Sequence, residues 1–247
     1  GTLGWQLAFG LLIAISVALL LPVLFFREPA ILPEAKAHAS EPYSRAWLTF
    51  FRRPALQGWI WVLVTYKVAE SMASAMVKPM MIDTGMTLAD MGLQVSMAGA
   101  VTTITGAMAG GWLTERLSRR TAMVGFGLLQ SLLFGCYAWP AQGYGLAGLT
   151  PANLMVVINA AEHLLGGMAM AALLSAVMDR ARQDHAGVDF TLQVSLLAAF
   201  GGLFYLPAGL IAEQIGYASH FLLAAVLGVL LLWPAWRYTC EPEALRD

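Results

Sequence analysis

Three ionisable residues stand inside long apolar runs: Lys67, Glu70 and Glu162. A charge near the centre of a bilayer costs about 2.5–3.5 kcal/mol on insertion scales, so such residues default to facing water or one another. Lys67 and Glu70 are three positions apart, close enough to pair on a helix. Lys67, Ser71, Ser74 and Lys78 fall at i, i+4, i+7 and i+11. That spacing makes a polar stripe, which must face protein or water rather than lipid. Asn159, Glu162 and His163 share a face in the same way. A carboxylate withdrawn from water, as Glu162 would be, can take up and release a proton. That is the chemistry a proton-driven carrier needs. Static roles suit the same residues. Lys67 can neutralise Glu70 or Glu162 across helices, Lys78 can snorkel from an outer helix end, and His163 can be a satisfied interior histidine. Further polar positions, Thr191 and Gln193, lie in a later apolar run.

The elements that would position these residues are long helices. Of the 247 residues, 59% are hydrophobic and only 12% charged, about half the charge usual for soluble domains. A soluble globular enzyme is therefore excluded. A spanning helix needs roughly 20 apolar residues. Seven stretches qualify: Leu3–Phe26, Leu56–Met81, Met91–Leu113, Ala122–Trp139, Ala152–Met178, Phe190–Ile211 and His220–Tyr238. None alternates as a barrel strand does, so the expected class is an all-α membrane protein. The fourth and seventh stretches carry no charge in their apolar cores and read as lipid-facing support. The second, third, fifth and sixth are expected to line one concave face.

Every Lys and Arg except Lys67 and Lys78 falls in connections on one side of such a bundle, from Arg27 in the long connection to Arg246 in the tail. The positive-inside rule makes that side cytoplasmic, with the N-terminus outside and the C-terminus inside. Residues 27–54 are the longest connection, and Ser44 to Arg53 suits a short interfacial helix with Trp and Arg anchors. The net charge of −1 gives no nucleic-acid footprint, and Cys136 and Cys240 form neither a disulfide framework nor a metal cluster. No zinc-protease, serine-hydrolase or nucleotide-loop motif occurs. No cofactor is expected.

The turn Gly111-Trp-Leu-Thr-Glu115-Arg116-Leu-Ser-Arg119-Arg120 resembles the G-x-x-x-D-R-x-G-R-R loop of the major facilitator superfamily, with Glu for Asp and Ser for Gly. The resemblance implies a conformational loop after helix 8 of a twelve-helix fold. It makes the seven stretches helices 6–12: residues 1–26 the last helix of the N-terminal half, 27–54 the central loop, 55–240 the C-terminal six-helix bundle and 241–247 a tail. The remaining helices would belong to an N-terminal half outside this sequence. Tyr66-Lys67-Val-Ala-Glu70, Glu162-His-Leu-Leu-Gly-Gly-Met168 and Asp189-Phe-Thr-Leu-Gln193 resemble the muropeptide permeases and the rhizobactin and pyochelin siderophore importers of that superfamily. The spelling around Asp189 leans toward the siderophore branch. The resemblance implies proton-coupled import of a medium-sized solute, a siderophore or a muropeptide, across a bacterial inner membrane. A seven-helix receptor is the alternative of another class, although the last helix lacks the Lys that a retinal protein needs.

Overall fold

The computed structural model describes residues 2–26, 43–53, 56–183 and 185–237. Residues 27–42 and 54 of the expected central connection 27–54, residues 238–247 with the expected tail, and so Arg27, Lys36, Cys240 and Arg246, lie outside the described residues, as do the side chains of Arg45 and Trp47. Two compact units are distinguished, Gly1–Ser40 and Glu41–Asp247. The first holds helix α1, Thr2–Phe25, with Pro22 inside it. At ~1.5 Å per residue its 24 residues reach about 36 Å, enough to cross a bilayer core.

The regular elements of the second unit are all helical among the described residues, with an isolated bridge between Leu146 and Leu149. Its helices are α2 Tyr43–Arg52, α3 Gln57–Thr65, α4 Val68–Asp83, α5 Ala98–Arg116, α6 Arg119–Cys136, α7 Pro151–Met178, α8 Ala186–Tyr205, α9 Ala208–Leu231 and α10 Trp233–Arg237. Short pieces at Leu88–Asp90 and Ala138–Ala141 lead into α5 and follow α6. Six helical stretches are long and apolar enough to cross a membrane: Gly4–Pro22, Gln57–Asp83, Arg119–Ala141, Pro151–Met178, Ala186–Tyr205 and Ala208–Arg237. The third expected span, which becomes the π-helical segment Met91–Met97 followed by α5, is not among them. It is diluted by Gly and Thr, and those small residues are what let it approach α7.

That approach is close. A Cβ at Gly106 would sit 2.0 Å from the Leu164 carbonyl oxygen, at Gly110 2.4 Å from Met168 Cα, and at Gly167 2.3 Å from the Thr103 carbonyl oxygen. Glycines spaced by four residues let two helical backbones touch where lipid offers no hydrophobic drive between them.

Local sequence explains where helices start and break. Ser118 caps α6 by accepting from the Thr121 N–H, and Thr150 caps α7 by accepting from the Asn153 N–H, with Pro151 in the first turn. The boundary between the sixth and seventh expected spans lies earlier than expected: Leu206 and Pro207 separate α8 from α9, and Gly216, in the expected connection, is a kink inside α9. Gly216 takes φ 79° and ψ 159°, which only glycine adopts at low cost.

Two apolar cores occupy opposite ends of the bundle. One gathers Trp59, Met123, Phe126, Leu173 and Val177, and the other Met80, Phe134, Tyr137, Met155 and Phe221. Along the α3–α4 rod, α6 and α7 the chain passes from one core to the other, and Lys67, Gln130 and Glu162 fall between them. A polar layer therefore crosses the bundle at mid-depth.

Candidate functional site

The rod Gln57–Asp83 is interrupted where the layer begins. Tyr66 and Lys67 separate α3 from α4, and Lys67, at φ −97° and ψ −1°, is a local distortion of the helical backbone whose carbonyl still accepts from the Ser71 N–H at 2.9 Å. The π-helical segment Met91–Met97 is a second irregularity, directly before α5. Broken or π-helical turns at membrane depth persist where they line a cavity or are buried in protein, and they frequently mark functional sites.

The ammonium of Lys67 forms an ion pair with Glu70 Oε1. Glu70 Oε2 accepts from Gln130 Nε2 at 3.1 Å, and the same nitrogen donates to Glu162 Oε1 at 2.8 Å. One carboxamide thus joins two carboxylates from different helices, and through Glu70 joins both to Lys67. Glu162 is buried, and its other oxygen, Oε2, lies 4.0 Å from His163 Nδ1, too far for a hydrogen bond. Gly166 makes room for this arrangement, since a Cβ there would lie 2.8 Å from Gln130 Nε2. Tyr66 donates to the Met123 carbonyl at 2.8 Å, which ties the broken rod to α6 beside the network.

The layer opens onto two cavities. The larger, of about 600 Å³, is lined by Ser74, Lys78, Asn159, Glu162, His163 and Tyr205 among others. A smaller one, of about 250 Å³, takes in Lys67, Ser71, Gly201 and again Tyr205. Of the expected site residues, Lys67, Glu70, Ser71, Ser74, Lys78, Asn159, Glu162 and His163 are therefore brought together. Asn159 also has a structural bond, donating to the Val95 carbonyl of the π-helical segment at 3.3 Å. Ser74 donates to the Glu70 carbonyl at 2.6 Å.

Thr191 and Gln193 are placed elsewhere. Thr191 is exposed near the start of α8 and borders neither cavity. Gln193 is fully buried in a knot at the Arg119 end of the bundle. It accepts from Trp59 Nε1 at 2.6 Å and donates to the Val177 and Asp189 carbonyls. The Arg180 guanidinium lies 3.8 Å over the Trp59 ring, and Arg182 grips Asp189 with two nitrogens at 2.8 and 2.7 Å. Gln193 thus fastens the ends of α3, α7 and α8 rather than facing the cavities.

In the α5–α6 turn, Arg119 binds Asp179 at 2.9 Å, so this turn and the α7–α8 turn share one end of the bundle. Arg116 stacks on Trp112 at 3.5 Å and Arg120 on Trp236 at 5.2 Å. Glu115 is exposed, and Gly111 has open space around it. At the opposite end Tyr217 donates to Asp83 at 2.6 Å.

Gln130 is the residue that sequence reasoning missed. The apolar run around it reads as lipid-facing support, yet Gln130 and Ser131 are buried against the network side. His220, in the other supporting span, is also fully buried, with Nε2 3.0 Å from the Met72 carbonyl oxygen. The signal for Gln130 was a lone amide in the middle of an otherwise apolar helix.

An all-helical bundle with spanning helices and a polar layer between two cores is the architecture of a multi-pass membrane protein. A family model described as Major Facilitator Superfamily matches residues 1–206 and, in a second overlapping placement, 68–247. The chain belongs to that superfamily. It is 28% identical over 252 residues to the anhydromuropeptide permease of Escherichia coli (strain K12), a match covering 99% of this chain and 50% of that protein. It is 19% identical over 238 residues to a putative transporter AmpG 4 of Rickettsia conorii, covering 93% of this chain and 55% of the other. An uncharacterized protein of Haemophilus influenzae is 26% identical over 194 residues, 75% of this chain and 46% of its own length. The chain spans about half the length of the curated relatives it matches. These relatives lend no support to a siderophore as cargo.

Proposed function

We propose that this chain supplies one wall of the solute cavity and the proton-carrying groups of a proton-coupled permease for an anionic, medium-sized solute of the muropeptide kind. The observation that carries the proposal is the Lys67–Glu70–Gln130–Glu162 network, lying between two apolar cores and opening onto a cavity of about 600 Å³. Rocking of two helical halves around a midplane site is the superfamily's general way of moving solute. The other half would come from the part of the whole protein that its longer relatives possess and this sequence does not contain. Both the inner-membrane location and the orientation, with the Arg119 end cytoplasmic, rest on the positive-inside rule and the resemblance.

The division of labour comes from the bonds. Glu70 is held by Lys67 and remains its charged partner. Glu162 accepts its hydrogen bond from a neutral amide and lines the cavity, so it is the group that exchanges a proton as the cavity opens to each side. Protonation turns Glu162 from a pure acceptor into a group that also donates. The Gln130 amide then has one anionic carboxylate to serve instead of two, and its hold shifts toward Glu70. Lys78 lines the same cavity and makes no ion pair among the described residues. It receives the anionic group of the solute, while His163 and Ser74 complete the lining. The resemblance to an anhydromuropeptide permease favours a solute carrying peptide carboxylates. The test is reconstitution of the full-length protein in vesicles with an imposed inward proton gradient and a labelled anhydromuropeptide. Accumulation above equilibrium that collapses with a protonophore supports the proposal. Equilibration unaffected by the gradient contradicts it.

A further inference from the structure

Away from the polar layer, the outer face of the bundle carries an apolar groove of about 520 Å³ between α6 and the α9–α10 segment. Val124 and Leu128 form one wall, Val229 and Leu232 the other, and Trp233 and Trp236 close one end. That end is cationic. The Arg120 guanidinium lies 5.2 Å over the Trp236 ring, and Arg237 lies 5.6 Å over Trp233. Neither arginine forms an ion pair among the described residues. Arg120 is in the first turn of α6 and Arg237 in the last turn of α10, both at the end of a membrane span.

We propose that this groove is a binding site for an anionic glycerophospholipid. Its acyl chain lies along Val124, Leu128 and Val229, and its phosphate sits between Arg120 and Arg237. Shape and charge act together here. An apolar trough on a spanning segment is covered by lipid tails in any bilayer. What distinguishes this one is a pair of guanidiniums at headgroup level, without carboxylate partners among the described residues, held on the two tryptophans that end the trough. Tryptophan seats at the membrane interface. Guanidinium pairs with phosphate oxygens through two parallel hydrogen bonds, a geometry ammonium cannot offer. Each basic side chain near a membrane surface raises affinity for anionic lipid by about fivefold, so the pair gives a preference of about twenty- to thirtyfold over a zwitterionic lipid at low salt.

The test uses the full chain in detergent–lipid micelles and follows quenching of tryptophan fluorescence by brominated lipid. Brominated phosphatidylglycerol is expected to quench at a mole fraction about tenfold or more below that of brominated phosphatidylcholine, with the difference shrinking at high salt. Combining Arg120→Gln with Arg237→Gln should bring phosphatidylglycerol to the phosphatidylcholine curve, whereas Arg52→Gln, an exposed charge outside the groove, should leave the preference intact. Combining Trp233→Phe with Trp236→Phe should remove the lipid-selective part of the quenching. Equal quenching by the two lipids in the unaltered protein overturns the site. So does a phosphatidylglycerol preference that survives loss of both arginines. The first comparison needs no variant, so misfolding of a variant cannot leave the proposal untested.

Discussion

Replacing Gly106 by Ala and Gly111 by Ala makes the same chemical change five residues apart on α5, and the two should have opposite effects. Each removes a helix-interior glycine, which by itself stabilises by up to about 1 kcal/mol. At Gly111 a new methyl meets nothing within 4 Å, so that gain should be kept. At Gly106 it would lie 2.0 Å from the Leu164 carbonyl oxygen, against the 3.4 Å of ordinary contact. The obstacle is backbone, so no rotamer relieves it, and α5 and α7 would have to part by about 1.4 Å locally. Overpacking of this kind costs about 1–3 kcal/mol, occasionally more. The helix-interior gain is common to both, so the two variants should differ by the overpacking cost, about 1–3 kcal/mol. The assay is the unfolding midpoint of the full-length protein in a mild detergent titrated with a denaturing one, read by circular dichroism. The Gly106→Ala protein should also lose transport, because the same contact sets Thr103 and Gly99 against the α7 face that carries His163 and Glu162. Equal midpoints for the two variants would refute the close α5–α7 packing, and with it the positioning of Glu162.

Five further outcomes are expected from the same geometry. Gln130→Leu removes the donor shared by Glu70 and Glu162. A hydrogen bond to a charged group is worth about 1.5–3 kcal/mol, so initial uptake rates should fall about ten- to hundredfold. Gly166→Ala, which displaces the same amide, should reproduce much of that loss when uptake is measured in parallel. Lys67→Ala strands the negative charge of Glu70 in the bundle and should cost both solute binding and transport, measured as Kd and uptake rate. Lys78→Gln should raise KM for an anionic solute by about five- to tenfold with kcat little changed, whereas a neutral analogue should show no difference. Cysteine placed at Arg119 and at Gly145 should react with a membrane-impermeant reagent from opposite sides, and labelling of both from one side would break the helix assignment.

The helices were largely legible in the sequence because spanning runs advertise themselves by length and apolarity, and the motif turn at Gly111–Arg120 pointed to the family. The charged members of the site were legible for the opposite reason: Lys67, Glu70 and Glu162 are expensive in apolar runs. What a linear pattern does not carry is reach across space. Gln130 looked tolerable in a supporting helix because a lone neutral amide costs little, and only its contact with two carboxylates gives it a role. Gln193 erred in the other direction. Its position in an apolar helix says that it needs partners but not which, and they are Trp59 and two carbonyls at the bundle's end. Thr191 fell on the exposed side of the same helix. The boundary between the last two spans was displaced because Pro207 and Gly216 are equal breakers in a linear pattern. The structure divides the two spans at Leu206 and Pro207 and keeps Gly216, with its positive φ, as a kink inside α9.

The central claim is that Glu162 carries the proton, and Glu162→Gln in the reconstituted full-length protein tests it most directly. The amide is close in size to the carboxyl, still lines the cavity and cannot exchange a proton. Solute–solute counterflow, which needs the cavity to open to each side but no net proton movement, should persist within a few-fold of the unaltered rate. Accumulation driven by a proton gradient should vanish. A Glu162→Gln protein that still concentrates solute under the gradient, with unaltered pH dependence, would show that the network is structural and that the proton travels elsewhere.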